Sequence, residues 1–169
     1  LTKIAKTTIA ILTNIGASHL EGLKSTKGVF KEKFDLVKFM DPSGVVIFNK
    51  DDFYLKTIEK KRISPKKISY SIKASSDVKI SALKTSPGEI QFAVEGNNFS
   101  IKTIAQHNVC NALAAISCAQ LLKVKYEVVK EGLASFESCQ GRQEIRDIAG
   151  VRIINDSYNS NPISLKSAI

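Results

Sequence analysis

The chain has 169 residues, 43% of them hydrophobic and 24% charged, enough for one sizeable core or for one domain and part of another. No apolar run approaches the ~20 residues that span a bilayer, and no basic stretch followed by an apolar one marks a secretion signal. The net charge is +9, but the 25 Lys and Arg are scattered. The densest group, Lys60-Lys61-Arg62 with Lys66-Lys67, has only Tyr54 and Tyr70 near it, so nucleic acid is not an expected partner. A solvated face or a phosphate-bearing small ligand accounts for the cations instead.

Cys110, Cys118 and Cys139 are odd in number and lack metal-ligand or disulfide spacing. They read as reduced, buried thiols in a cytoplasmic protein. The only methionine is Met40. "LTKIAK" at the start reads as the last turn of a helix and "NPISLKSAI" as the opening of one, so a segment of a longer protein is expected.

In chain order, residues 7–13 (TTIAILT) are β-rich and apolar on both faces, as a central parallel strand would be. Residues 24–41 place Val29, Phe30, Lys33, Leu36, Val37 and Met40 near helical spacing, which predicts an amphipathic helix. "DPSG" ends it. VVIFN (45–49) predicts a second buried strand, Asp51-Asp52 a cap for a helix reaching about Arg62, and residues 68–72 another strand. From Ser76 the texture changes. DVKISALKT, GEIQFAVE and NFSIKTI alternate apolar and polar residues between glycine-containing turns, which predicts an antiparallel meander. Two helices follow, over residues 109–122 and 126–136. Then come strands around 143–148 and 151–154, a loop over 155–161, and a helix opened by Pro162. The expected fold is α/β: a parallel sheet with helices and a small antiparallel insert over residues 1–140, and the first βα elements of a Rossmann-like domain over 141–169.

Three stretches carry chemistry. "NIGASHLEGL" (14–23) puts His19 just past the end of a strand, where open α/β sheets place ligands. A loop histidine is more often a surface or capping residue, and Lys31 and Glu32 read as an exposed helix face. "QHNVCNALAA" (106–115) sets Asn108 and Asn111 at i,i+3 on the first turn of a buried helix. Asn108 fits a plain N-cap, and the paired amides also suit a nucleobase edge. "GRQE" (141–144) and "NDSYNSNP" (155–162) put Arg142 after a glycine and Asp156 at a strand end. A hinge salt bridge explains them, and so does a phosphate-binding guanidinium.

Together these stretches, with "GVFKEKFDLV" and "VVIFNKDD", closely resemble the Mur ligase family in order along the whole chain. "NDSYNSNP" resembles most the branch that joins D-alanyl-D-alanine to a UDP-N-acetylmuramoyl-tripeptide. The resemblance implies a bacterial, cytoplasmic, ATP-dependent amide ligase of peptidoglycan precursor synthesis, acting through an acyl phosphate. His19 would be a Mg²⁺ ligand. Lys33, matching K-x-acid-Leu, would be a carbamylated lysine presenting oxygen to Mg²⁺; Lys31 is its rival. Asn108 and Asn111 would lie on the adenine side. Arg142 would stand near the γ-phosphate, and Asp156 would help hold the nucleotide. The chain contains no GxxGKT phosphate loop, which the family carries upstream, so the segment alone is not expected to catalyse. Another Mur or folylpolyglutamate-type ligase, or a non-catalytic α/β module, are the other readings. Oligomeric state is not indicated.

Overall fold

The computed structural model describes residues 2–17, 20–137, 139–142 and 144–158. After a short helix, α1 (Thr2–Ala5), strand β1 (Ile9–Leu12) leads to α2 (Leu20–Leu23) and α3 (Thr26–Lys38). Strand β2 (Val45–Asn49), a 3₁₀ helix (Leu55–Lys60) and β3 (Lys66–Ser71) complete the parallel part. The meander is β4 (Val78–Ser86), β5 (Glu89–Val94) and β6 (Asn97–Ile101). Helices α4 (His107–Leu121) and α5 (Tyr126–Ala134) precede a hairpin of β7 (Glu144–Ile148) and β8 (Val151–Asn155).

The six strands β1 to β6 form one sheet in chain order, and β7–β8 form a second. β1, β2 and β3 pair in parallel. β4 pairs in parallel with β3 only through Tyr70↔Val78 and Ser71↔Lys79, and runs antiparallel to β5 from Ile80 onward, with a register shift between Ile80 and Ala82. One strand thus joins the parallel part of the sheet to the meander.

The alternation of β2 explains the layers. Val46 and Phe48 face α3 and the 3₁₀ helix, in a core with Val29, Phe34, Val37, Leu55 and Ile58. Ile47 faces the other side, with Tyr70, Val109, Leu113 and Ile116. All three β2 residues are completely buried, as a strand covered on both faces requires. The alanines of α4, Ala112 and Ala114 among them, let that helix lie close on the sheet.

The structure differs from the sequence reading in several places. β1 comes last in the strand order of the described residues, pairing with β2 on one side, and Ile11 is 39% exposed. The segment after β2 is a 3₁₀ helix rather than an α-helix, and only Asp52 caps it, accepting from the N–H groups of Tyr54 and Leu55 at 2.9 Å. Asp51 instead accepts from Ser71 Oγ at 2.5 Å and from the N–H groups of Ile72, Lys73 and Ala74, closing the turn after β3. Cys110 and Cys118 are half-buried, and Cys139 is exposed because it sits in the connector before β7. The helix expected from Pro162 lies outside the described residues.

Among the described residues, no helix is long and apolar enough to cross a membrane. Helix α3 begins at Ser25, whose side chain accepts from the Gly28 N–H at 3.1 Å. A Cβ on Gly28 would lie 2.0 Å from the Leu23 carbonyl oxygen, so only glycine lets α2 and α3 meet this closely. Gly132 in α5 has nothing within 4 Å of its added Cβ. Gly28→Ala should therefore lower the urea unfolding midpoint. Gly132→Ala should raise stability by about 1 kcal/mol through helix propensity alone. Equal gains from both would refute the α2–α3 contact.

Candidate functional site at the strand ends

The site residues gather where the parallel strands end. The loop after β1 has few backbone partners of its own, and three side chains from later elements hold it. Asn49, the last residue of β2, donates its amide to the Thr13 carbonyl at 3.0 Å. Asp52 accepts from the Ile15 N–H at 2.8 Å while capping the 3₁₀ helix. Lys33 donates from Nζ to the Asn14 carbonyl at 2.9 Å.

Lys33 thus reaches the loop that leads to His19, whereas Lys31 on the same helix is exposed to solvent. Position 33 is half-buried, as the apolar-face spacing requires. His19 lies outside the described residues. Among the described residues, no group of three His, Cys, Asp or Glu is placed to hold a metal ion. Lys33 and this loop can supply only part of a Mg²⁺ ligand set, through an oxygen donor in place of the ammonium. The fit to a carbamate is chemical: a carbamylated Lys33 keeps an N–H and adds two oxygens at the same loop.

The second group opens α4. Asn108 is not the N-cap; Gln106 occupies that place. The Asn108 amide donates to Thr103 Oγ1 at 2.9 Å, and the Asn111 amide donates to Asn108 Oδ1 at 3.2 Å. This relay orients both amides on one face. They line a cavity of ≈ 240 Å³ whose other walls include Ile101, Ala112, Leu133 and Phe136. Apolar walls with two convergent amides suit a flat heteroaromatic ring. Strand β2 ends close to this turn. Burial pushes the Cys110 thiol up to about 11, and the Asp51 carboxylate adds to it.

The third group is built by the connector before β7 and the turn after β8. Gly141 has a φ of +72°, and its added Cβ would lie 3.3 Å from the Tyr158 nitrogen. Glycine therefore lets the two segments close, and the Tyr158 N–H donates to the Gly141 carbonyl at 2.9 Å. Glu144 ties the same segments, accepting from the Gly141 N–H at 3.1 Å and the Asn155 amide at 3.3 Å. Arg142 lies over the Tyr158 ring, 4.2 Å from its centroid, a cation–π contact that restrains the guanidinium. Asp156 sits two residues before Tyr158 and is close enough to His107, at the start of α4, to influence its titration. Among the described residues, no hydrogen bond or ion pair joins the second or third group to Lys33.

Sequence reasoning missed Asn49, Asp52, Thr103, Glu144 and Tyr158. The first two were signalled by "FNKDD" directly after a buried strand, and the last two lie inside the quoted motifs. Thr103 carried no pattern of its own.

A parallel sheet with a tied polar loop, paired amides and cations beyond its strand ends defines an open-sheet α/β ligand-binding domain. The family profile described as Mur ligase middle domain matches residues 1–119. The chain belongs to the Mur ligase family. It is 35% identical over 173 residues to the UDP-N-acetylmuramoyl-tripeptide–D-alanyl-D-alanine ligase of Buchnera aphidicola subsp. Baizongia pistaciae, covering 99% of this chain and 38% of that protein. The ligase of the same name from Bacillus subtilis is 31% identical, over 100% of this chain and 37% of that protein. A crystal structure of MurF from Acinetobacter baumannii superposes with a TM-score of 0.89 at 27% identity, over 99% of this chain and 37% of that one. The chain thus spans well under half the length of these relatives.

Partial burial holds the His107 imidazole below its ordinary value, and the Asp156 carboxylate pulls it part of the way back. Asp156→Asn should therefore lower the His107 midpoint further, as read by NMR titration of the ring. A folded-state midpoint below the unfolded one means that protonation opposes folding, so this contribution to stability is lost as pH falls through the ordinary histidine range. An unchanged midpoint would separate Asp156 from α4.

Proposed function

We propose that the chain is the nucleotide-handling part of a bacterial, cytoplasmic ligase that uses ATP to join D-alanyl-D-alanine to UDP-N-acetylmuramoyl-tripeptide. The reaction makes an acyl phosphate from the substrate carboxylate, and the dipeptide amine then displaces phosphate to form the amide. The observation that carries the reading is the Thr103–Asn108–Asn111 relay opening on an apolar cavity at the start of a buried helix. The names of the relatives that match 99% and 100% of the chain support the choice of substrates.

In this reading residues 1–140 belong to the central ATP-binding domain, and 141–169 begin the domain that follows. Asn108 and Asn111 hold the adenine edge by hydrogen bonds that water would otherwise make. Arg142, steadied over Tyr158, is presented at the γ-phosphate side, where a guanidinium offsets charge spread over the transferring group. Asp156 helps hold the nucleotide from the same turn. His19 and a carbamylated Lys33 would hold Mg²⁺, which would neutralise phosphate charge. Lys33 also orients the loop after β1 by its bond to Asn14.

The test uses the full-length protein. Intact-mass analysis should find added CO₂ on Lys33. Lys33→Ala should lower kcat by a hundredfold or more, with partial rescue by short carboxylates, in line with loss of a charge-stabilising group. Asn111→Ala should raise KM for ATP by up to about tenfold, the range of a lost hydrogen bond. Full activity in Lys33→Ala would remove the metal assignment. A preference for L-alanine over D-alanyl-D-alanine would replace the substrate assignment; the UDP-N-acetylmuramate–L-alanine ligase of Aquifex aeolicus is 30% identical to this chain.

A further inference from the structure

The charge of the chain is unevenly placed. Residues 1–73 contain 15 Lys and Arg against 7 Asp and Glu, while residues 74–169 contain 10 against 9. Almost all of the +9 therefore belongs to the segment up to the turn after β3. Its densest part, residues 60–67, joins the 3₁₀ helix to β3. Val45 pairs with Lys66, and the Lys66 N–H donates to the Gly44 carbonyl, so this connector lies at the starts of the parallel strands. It is the pole opposite Asn49, Asp51 and Asp52, and the site described above does not use it.

Two of its five cations are pinned. Lys67 donates from Nζ to the carbonyls of Ile58, Glu59 and Lys61, satisfying the end of the 3₁₀ helix. Lys61 lies over the rings of Phe30 and Phe34, at 5.6 and 5.0 Å. Lys60, Arg62 and Lys66 point outward and are exposed. Among the described residues, no carboxylate is within ion-pairing distance of these three. The nearby acids are engaged elsewhere: Glu59 on Lys50 at 2.5 Å, and Asp35 on Lys38 at 2.7 Å. Arg62 and the following residues share a recess of ≈ 250 Å³ with Lys38, Met40 and Pro42 at the end of α3.

We propose that this pole docks the full-length protein reversibly on an acidic phospholipid surface. Lys60, Lys61, Arg62 and Lys67 line one open, shallow face, which suits a plane of headgroups better than a single small anion. Neighbouring exposed cations are what an anionic lipid surface attracts, each adding to the pull of the headgroup phosphates. Residues 60–67 contain no aromatic side chain on which a base could stack, which disfavours single-stranded nucleic acid. The whole 1–73 segment adds a diffuse positive field to the local contacts.

The test is sedimentation of the full-length protein with vesicles of phosphatidylcholine, with and without phosphatidylglycerol. Binding should require phosphatidylglycerol and weaken as salt is raised. Each outward cation neutralised should cost about fivefold in partitioning, so Lys60→Gln with Arg62→Gln and Lys66→Gln should cost on the order of a hundredfold. Lys79→Gln with Lys84→Gln, exposed cations on β4, should leave binding within about twofold of the parent. The triple variant should keep its unfolding midpoint and its ligase rate in the absence of vesicles. The proposal fails if no binding occurs at low salt, or if the β4 pair matters as much as the triple. It also fails if the patch captures a duplex oligonucleotide or an acidic protein while ignoring the vesicles.

Discussion

Because Val46, Ile47 and Phe48 are all completely buried, β2 has to be covered on both faces, by α3 and the 3₁₀ helix on one side and α4 on the other. That requirement sets the order of layers, and it also sets where polar groups can go. A strand buried on both faces can present hydrogen-bonding side chains only at its ends. Asn49, Asp51 and Asp52 follow directly on the apolar run and serve three neighbouring segments from there. Each satisfies backbone groups that would otherwise be left without partners near the core edge, where an unmade bond costs about 1–3 kcal/mol.

The candidate site is a consequence of the same geometry. The loop after β1 is held by side chains from β2, from the segment after it and from α3, so its shape is set by the packing of three elements. Lys33 illustrates the coupling. It is half-buried on α3, and its ammonium donates to the Asn14 carbonyl. At the other end of the chain, Gly141 and Glu144 draw two segments together and set Arg142 over Tyr158. The edge of the sheet at β1 and the hairpin carry exposed apolar residues, including Ile11, Ile148, Val151 and Ile154. The chain spans 38% of the length of a relative that it matches.

Much of the fold was legible. Period-2 alternation located the meander, and helical spacing located α3, α4 and α5 within a few residues. The apolar runs located β2 and β3. What misled was local ambiguity. A helix-like segment between strands gives no sign of being 3₁₀. Two adjacent aspartates read as a single cap, yet they turn to different elements. Of the site, the motifs pointed to Lys33, Asn108, Asn111, Arg142 and Asp156. Tyr158 and Glu144 stood inside those motifs without a sign of what they hold, and Thr103 carried no pattern, because a single hydrogen bond or stacked ring leaves no periodic signal.

By itself, the sequence determined the inventory: which segments bury, where turns fall, which polar residues sit at strand and helix ends, and which family the ordered motifs belong to. These follow from local chemistry, since burial pattern and turn preference are written within a few neighbouring residues. Only the tertiary structure decided that Lys33, not Lys31, meets the first loop. It also decided that Asp51 and Asp52 part company, and that Arg142 rests on Tyr158. Those outcomes depend on which elements pack against one another, and on the backbone groups left unsatisfied when they do.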